Sequence, residues 1–252
     1  MKIDNEFIKQ NNERILSFFK FQPRLFCEQK EEQKKEAGKK EPQEGELNAD
    51  ERKFLLTASS YQYKFTLTEI YSFAGFSASK GTRISKKLER NMMIKIFNII
   101  KGKGISKYPV LLDEAYKTLG IEEAKFEGRG CGYEHLIWQH ILAGHFKEFK
   151  PVIELNRGNK CIDVAFEYKE KLIAVEVAMT SAHEKANIEK NIGMARVHYV
   201  IIGCKDEKVL SEVDSIINEL AEGLRGKARA FILSKILGLR IEEVINEKAQ
   251  TK

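Results

Sequence analysis

Long apolar runs are missing from this sequence of 252 residues. A membrane-spanning helix needs a run of about 18 or more apolar residues, and none occurs, so we expect no transmembrane segment. The N-terminal residues MKIDNEFIKQNNERILSFF place acids and amides before a short apolar run, which argues against a secretory signal. The sequence therefore predicts a protein with no membrane partner.

Closely spaced cysteines are also missing. The four cysteines are far apart, and no two of them form a Cys-x-x-Cys pair. This spacing argues against a zinc site and against a disulfide framework. It favours a reducing compartment, and we predict a cytoplasmic location. The cysteines are Cys27, Cys131, Cys161 and Cys204.

One charged stretch divides the chain. Residues 28–46, EQKEEQKKEAGKKEPQEGE, are almost entirely Glu, Lys and Gln, so they can bury no core and predict a solvated helix or a linker. No internal repeat is evident. We predict an N-terminal segment at 1–27, a charged linker at 28–48, a first domain at 49–125 and a second domain at 126–252.

The first domain has the pattern of a winged helix-turn-helix. Two amphipathic helical segments precede a third, SASKGTRISKKLERNMMI, whose apolar residues Ile84, Leu88 and Met92 share a face. Two strands joined by Lys-Gly-Lys-Gly and a closing helix follow. The formal net charge of +6 favours a polyanion partner, and cations are concentrated on the third helix.

This pattern predicts binding to double-stranded DNA, with the third helix in a major groove and the wing on phosphates. The alternative is a winged helix that contacts other proteins and merely exposes its charges. The predicted DNA contacts are Lys80, Arg83, Lys86, Lys87 and Arg90 on the helix, and Lys101 and Lys103 in the wing.

The second domain has the periodicity of an α/β fold. A helix from about Tyr133 to Phe149 is followed by three strands, a helix, a strand, a helix and a last strand. The glycines at 128, 130 and 132 precede no Gly-Lys-Ser/Thr and so do not form a phosphate loop. This order predicts a mixed sheet flanked by helices.

Two acids interrupt apolar strands of this domain. Asp163 follows Ile162, and Glu176 lies within Ile-Ala-Val-Glu-Val-Ala-Met. An unpaired buried carboxylate is costly, whereas two on neighbouring strands can share a divalent cation, with Mg²⁺ or Mn²⁺ the expected ion. Such an ion can activate water for phosphodiester cleavage. In the alternative, Glu176 points outward at a sheet edge and Asp163 caps a turn.

The segments GYEHLIWQH, CIDVAF, IAVEVAMTS and NIEKNI resemble the PD-(D/E)XK nuclease superfamily over residues 126–236. The resemblance implies a restriction-endonuclease-like fold in which Glu134, Asp163 and Glu176 surround a metal ion. The winged helix, the Gly-rich lead and these strands also resemble the C-terminal regions of some HerA-like and conjugation-type ATPases. That likeness implies such an ATPase as a partner, since this chain has no Walker motif of its own.

One position departs from the nuclease pattern. The lysine expected two residues after Glu176 is Ala178. Its loss implies either an inactive nuclease fold or a cation supplied from elsewhere. Lys190, on the helix after the third strand, is the first candidate for that cation, and Lys160 is the second. His135, Gln139 and His140 either touch the metal or phosphate, or only cap or solvate their helix.

Three functions remain open from the sequence. The first is a divalent-metal-dependent DNA endonuclease targeted by its winged helix. The second is a catalytically inactive DNA-binding or ATPase-associated module that keeps the nuclease fold. The third is a transcriptional regulator, because winged helices serve that role widely. The sequence leaves the oligomeric state open, with a homodimer among the alternatives.

Overall fold

The computed structural model describes residues 47–102, 104–122, 132–157, 160–194 and 196–245. Several sequence-based predictions lie outside these residues. They are the N-terminal segment 1–27, the linker up to residue 46, Lys103, the glycines at 128 and 130, and the side chain of Lys160. No helix within the described ranges is both long and apolar enough to cross a membrane.

Three helices form the first layer of the described chain: α1 (Ala49–Ser60), α2 (Leu67–Phe73) and α3 (Ala78–Arg90). The first two begin at capping boxes, in which Asn48 pairs with Glu51 and Thr66 pairs with Glu69. Ser77 caps α3 by accepting a hydrogen bond from the backbone N–H of Lys80. These local signals explain why the three helices begin at these residues.

Helix α3 packs closely on α2 at a glycine. A Cβ atom on Gly81 would collide with the ring of Tyr71, so only glycine permits this approach. The prediction that Met92 continues the buried face is wrong, because α3 ends at Arg90 and Met92 adopts a φ of 55° and is exposed. Met93 is buried in its place. The left-handed turn after the helix moves the apolar position forward by one residue.

A hairpin follows the three helices. Strands β1 (Ile94–Lys101) and β2 (Gly104–Leu111) pair antiparallel, from Ile94 opposite Leu111 to Lys101 opposite Gly104. Gly102 has a φ of 57°, which suits the tight turn at the tip. Helix α4 (Asp113–Leu119) closes this part of the chain and ends at Gly120.

The second part begins with α5 (Tyr133–His145) and a short 3₁₀ turn (Lys147–Phe149), shorter than the continuous helix that the sequence predicts. A five-stranded sheet follows in the order β3-β4-β5-β6-β7, antiparallel between β3, β4 and β5 and parallel between β5, β6 and β7. The strands are β3 (Val152–Arg157), β4 (Lys160–Tyr168), β5 (Lys171–Ala178), β6 (Val197–Cys204) and β7 (Ala228–Ile232).

Within the described residues, five helices complete this part. Helix α6 connects β5 to β6, and α7 and α8 connect β6 to β7; α9 and α10 follow the last strand. The predicted mixed α/β sheet flanked by helices is thus confirmed. The helices are α6 (Glu184–Ile192), α7 (Glu207–Glu219), α8 (Glu222–Arg225), α9 (Leu233–Ile236) and α10 (Ile241–Ile245).

The two faces of the sheet bury separate apolar cores. On one face, Val175 of β5 packs with Leu142 of α5. On the other face, Ala174 of β5 packs with Ile188 of α6 and Val213 of α7. The hairpin joins the first core through Ile99 and Tyr108. The sheet therefore carries α5 and the hairpin on one side and α6 on the other, with the ends of β4 and β5 between them.

Candidate functional site

Regular pairing between strands β4 and β5 ends just before Asp163 and Glu176, the two acids that interrupt apolar strands in the sequence. Their paired register runs from Tyr168 opposite Lys171 to Val164 opposite Val175. Asp163 and Glu176 are the next residues on the two strands, just beyond the last regular pair.

The carboxylate of Asp163 bridges the strands at this point. Its Oδ2 accepts a hydrogen bond from the backbone N–H of Val177 at 2.7 Å. A side chain therefore satisfies the amide that a regular ladder would pair with the main chain of β4. Asp163 therefore does not cap a turn, which excludes that alternative for its side chain.

The backbone opposite Asp163 is strained. Ile153 pairs with Val164 and Leu155 pairs with Ile162, so Glu154 lies across from Asp163 between these two pairs. Glu154 has a φ of 53°, a left-handed conformation that is rare for a residue within a strand. Such a conformation costs about 1–3 kcal/mol and is concentrated at functional sites.

Helix α5 supplies two polar contacts to Asp163. His135 Nε2 lies 3.2 Å from Asp163 Oδ1, and Gln139 Nε2 donates to the same oxygen at 3.1 Å. Their spacing of four residues places both side chains on one helix face. Of the two sequence-based readings, contact with the acidic site is therefore the one that the geometry favours for His135 and Gln139.

Asp163 controls the protonation of His135. Burial alone lowers the pKa of His135, but the hydrogen bond and charge of Asp163, together with the charge of Glu154, raise it above its ordinary value. The Asp163 carboxylate therefore stabilises the protonated form of His135 relative to a histidine without such a neighbour.

Glu176 is directed to the other face of the sheet, where α6 packs. It is 5% exposed, and its Oε1 accepts a hydrogen bond from Asn191 Nδ2 at 2.5 Å. Burial raises the pKa of Glu176 well above its ordinary range, and the charge of Asp163 adds to this effect. Lys190 and Asn191 act in the opposite direction. The two acids are thus electrically coupled although different helices contact them.

Lys190 brings its ammonium to the same open end of the strands. Its Nζ donates to the backbone carbonyl of Cys161 at 3.2 Å and to Asn187 Oδ1 at 3.5 Å. Its charge acts on Glu176 as well. Ala178 is 1% exposed and belongs to the apolar core beneath α6. The strand position at which the nuclease pattern has a lysine therefore carries no cation.

Helix α6 also carries a carboxylate that sequence reasoning missed. Glu184 is 6% exposed and lies on one helix face with Asn187 and Asn191. Burial raises the pKa of Glu184 to about 7, with the Asn187 hydrogen bond opposing and the charge of Asp163 adding. Its Oε2 and Asn191 Oδ1 have no hydrogen-bond partner among the described residues. The spacing of three and seven residues from Glu184 was the signal that could have identified this face.

Two predictions, the role of Glu134 and the metal site, are not supported by a direct contact between described residues. Glu134 lies in the first turn of α5, half-buried, and makes no hydrogen bond or ion pair with any described residue. Within the described ranges, no three His, Cys, Asp or Glu side chains are grouped as a metal cluster. Mg²⁺ needs only one or two carboxylates beside water and substrate oxygens, so this observation leaves the pair Asp163 and Glu176 as the candidate ligands.

The cations of α3 divide into two sets. Lys80 forms an ion pair with Asp50 at 2.8 Å, and Lys87 forms one with Glu51 at 2.6 Å, so both hold α3 against α1. The other set is exposed, makes no ion pair with any described residue, and lines an open depression of about 550 Å³. This set is Arg83, Lys86 and Arg90.

The side chain of Lys101, a predicted DNA contact in the wing, packs near the ring of Tyr108. Its Nζ lies 5.0 Å from the centre of the Tyr108 ring, and burial lowers its pKa, with the charge of Glu69 opposing. The side chain lies against a crevice between the hairpin and α5.

Comparisons with known proteins provide no independent evidence on the function of this site. The chain matches no family model, no curated protein and no solved structure. The resemblance to PD-(D/E)XK nucleases therefore stays a prediction from short motifs, and the arrangement of Asp163, Glu176 and Lys190 carries the functional argument.

Proposed function

We propose that this protein binds double-stranded DNA and hydrolyses its phosphodiester bonds with a divalent cation, Mg²⁺ or Mn²⁺. The observation that carries the proposal is the open end of β4 and β5. Asp163 and Glu176 follow the last strand pair there, near enough for the charge of Asp163 to raise the pKa of Glu176, and the Lys190 ammonium reaches the same end from α6. Two acids and a cation at one strand opening suit the chemistry of phosphate esters.

The order of the helices and strands supports two more specific assignments, a winged helix and a restriction-endonuclease-like fold. The three helices and the hairpin have the order of a winged helix, with α3 as the recognition helix. The sheet, with α5 before it and α6 after its third strand, has the order that a restriction-endonuclease-like fold requires. We propose both assignments from this order of elements.

The donor set fits a hard cation. Glu176 and Glu184 are buried carboxylates, and burial of ionised carboxylates is costly unless an opposite charge is near. Two buried oxygens, Glu184 Oε2 and Asn191 Oδ1, lack partners among the described residues, so the α6 side of the site has unused oxygen donors. Asp163 and Glu176 would hold the cation, which would polarise the phosphodiester and lower the pKa of bound water.

The protein's own side chains have separate tasks. His135 and Gln139 fix the orientation of Asp163 through its Oδ1. The amide of Val177 fixes its Oδ2. Lys190 supplies the positive charge that position 178 lacks, and it would stabilise the negative charge that develops on the phosphate oxygens.

A catalytically inactive module is the second candidate, and the position of Lys190 favours it. The ammonium already donates to Cys161 O and Asn187, and Ala178 is sealed in the core. In this function, α3 still binds DNA, and the second part of the chain docks on a partner such as a HerA-like or conjugation-type ATPase.

Cleavage assays separate the two functions. Purified protein is incubated with supercoiled, linear and branched DNA in Mg²⁺ or Mn²⁺, beside the variants Asp163→Asn and Asp113→Asn. Asp113 is an exposed aspartate on α4 and serves as the matched control. Cleavage by the wild type and by Asp113→Asn, but not by Asp163→Asn, supports the nuclease. DNA binding without cleavage of any substrate supports the inactive module.

A further inference from the structure

The end of the hairpin exposes a pair of apolar side chains. Ile100 of β1 lies opposite Ile105 of β2, and the two residues are 60% and 68% exposed. Gly102 and Gly104 follow in the turn, and open space surrounds the position that a Cβ atom would take at either glycine. We call these four residues the hairpin tip. Single exposed apolar side chains are ordinary, but an adjacent pair on a slender projection indicates a contact surface.

The isoleucine pair lies on the hairpin face that packs against the recognition helix. Ile94, at the other end of β1, belongs to the apolar core that includes Leu88 of α3. Because side chains alternate along a strand, Ile100 is directed to the same side as Ile94. The opposite face of the hairpin, with Ile99 and Tyr108, is buried in the core around α5. The tip therefore extends the α3 side of the hairpin into solvent.

A polar pair separates the tip from the core on this face. Asn98 of β1 lies opposite Lys107 of β2, and both residues are exposed. Neither side chain makes a hydrogen bond or an ion pair with any described residue. The exposed apolar surface thus ends after two side chains, far short of the about 800 Å² that each partner buries in a stable protein interface. A second protein is therefore a poor match for the tip.

The composition of this face matches the DNA minor groove. Proteins that bind there use Lys and Asn side chains to contact the groove, and they insert apolar residues such as Ile between base steps. The face supplies both kinds of group, with Asn98 and Lys107 directly behind the isoleucine pair. The exposed cations of α3 add positive charge that complements the phosphate backbone.

The length of the hairpin fits DNA that is held by α3. Ile100 lies six residues beyond Ile94, which corresponds to about 20 Å at about 3.4 Å per residue. One helical turn of DNA is about 34 Å, so a minor groove lies about half a turn, or about 17 Å, from the major groove that α3 would occupy. A duplex bound to α3 therefore brings a minor groove within reach of the tip.

We propose that the hairpin tip inserts Ile100 and Ile105 into the minor groove of bound DNA, where they wedge between base steps and bend the duplex. Asn98 and Lys107 contact the groove and the phosphates beside it. The assignment rests on the proposed binding of double-stranded DNA and adds a second groove and a bend to it. Duplexes with pyrimidine–purine steps are the favoured substrates, because these steps unstack most easily.

Two duplexes that differ in the minor groove test the wedge. One contains G·C pairs, and the other contains inosine·C pairs, which lack the guanine 2-amino group but present the same major groove. Binding of the full-length protein is measured by fluorescence anisotropy in EDTA, so that no metal-dependent cleavage occurs. Wild type should bind the inosine duplex about tenfold more tightly, the effect of one altered base pair. Ile100→Thr/Ile105→Thr should bind both duplexes alike.

Met92→Gln is the matched control. It also removes an exposed apolar side chain, but one that precedes β1, at the end of the hairpin away from the tip. This variant should keep the preference for inosine. Threonine keeps the β-branched shape that suits a strand, and both isoleucines are exposed, so the double variant should unfold at the Tm of the wild type. Ile105→Thr alone should show a partial loss of the preference.

Energy transfer between dyes at the two ends of a short duplex with central TA steps measures the bend. Wild type and Met92→Gln should bring the ends closer, as expected for a bend of about 20–90° by inserted apolar side chains. The double variant should bind this duplex without bending it. Its salt slope should equal that of the wild type, because the substitutions remove no cation.

The other outcomes each overturn the wedge. Equal groove preference and equal bending by wild type and double variant would reject it and leave the proposed DNA binding in place. A wild-type protein that binds no duplex would reject both. Binding to anionic vesicles that only the double variant loses, with DNA binding and bending unchanged, would assign the tip to a membrane surface. Self-association that only the double variant loses would assign it to a second copy of the chain.

Discussion

The Asp163 carboxylate accepts the backbone N–H of Val177 at 2.7 Å, so an acidic side chain occupies a hydrogen-bonding position between two strands. The same carboxylate contacts His135 and Gln139 from α5. Asp163 is therefore oriented from two directions before any substrate or cation arrives, which is the condition for a preorganised site.

Divalent cations should stabilise the folded protein through this site. A cation that binds only the folded state stabilises it by about 2.7 kcal/mol at a concentration one hundred times its dissociation constant. Mg²⁺ or Mn²⁺ should raise Tm in differential scanning calorimetry, and Asp163→Asn should abolish the rise while DNA binding by α3 persists. Asp113→Asn should respond as the wild type does. An undiminished rise in Asp163→Asn would remove Asp163 from the cation site.

Replacement of Lys190 should separate cation binding from cleavage. Lys190→Ala removes the ammonium near Cys161 O but neither candidate ligand, so the Tm rise should remain. Cleavage should fall by about 10²–10³, the effect of removing one preorganised group that stabilises transition-state charge. Lys185→Ala on the same helix is the control. Lys185 is exposed, and its one ion pair, with Glu219 at 4.0 Å, is also exposed and should contribute little to stability. Equal cleavage by both variants would exclude the role given to Lys190.

His135 should titrate at higher pH than a free histidine. Its raised pKa means that its interaction with Asp163 stabilises the fold fully below the ordinary pKa of 6.5, and that this contribution is lost as the pH rises through the folded value. In Asp163→Asn the charge of Asp163 is lost, and only the smaller effects of Glu154 and the Val177 backbone oppose burial, so the pKa of His135 should fall. NMR titration measures the shift directly. A pKa of His135 that is the same in wild type and variant would contradict the pairing.

Glu184 should destabilise the protein above neutral pH. Its pKa of about 7 lies above the ordinary 4.5, so the folded state binds the proton more tightly, and stability declines as the pH rises through this window. Glu184→Gln should remove up to about 3 kcal/mol of this decline, since one pKa unit corresponds to about 1.4 kcal/mol. Urea unfolding of both proteins at pH 5 and pH 8 gives the comparison. Parallel pH profiles would show that Glu184 ionises as an exposed carboxyl does.

The two sets of cations on α3 should behave differently. Arg83→Ala/Lys86→Ala/Arg90→Ala should weaken DNA binding and reduce the magnitude of the salt slope by about 0.9 for each lost phosphate contact. Lys80→Ala/Lys87→Ala should instead lower Tm, because Glu51, 3% exposed, loses its ion-pair partner. Fluorescence anisotropy at several salt concentrations and thermal unfolding distinguish these effects. An unchanged slope in the first variant would remove DNA binding from α3.

The sequence by itself determined the elements and the leading candidates. The apolar spacing of Ile84 and Leu88, the cap at Ser77 and the turn at Gly102 are local features, so α3 and the hairpin could be predicted from neighbouring residues alone. Asp163 and Glu176 stood out because each is an acid within an apolar strand, and such an interruption is visible without any partner.

Only the tertiary structure decided which of these groups meet. The sequence predicts Lys80 and Lys87 as DNA contacts, and the structure adds ion pairs with Asp50 and Glu51, some thirty positions earlier, which no local pattern reports at that separation. The contacts of Asp163 with α5, the left-handed Glu154 and the buried Glu184 likewise arise from strands and helices distant in sequence. Hydrophobic periodicity specifies which face of an element is buried, but polar contacts depend on packing geometry that exists only in the assembled fold.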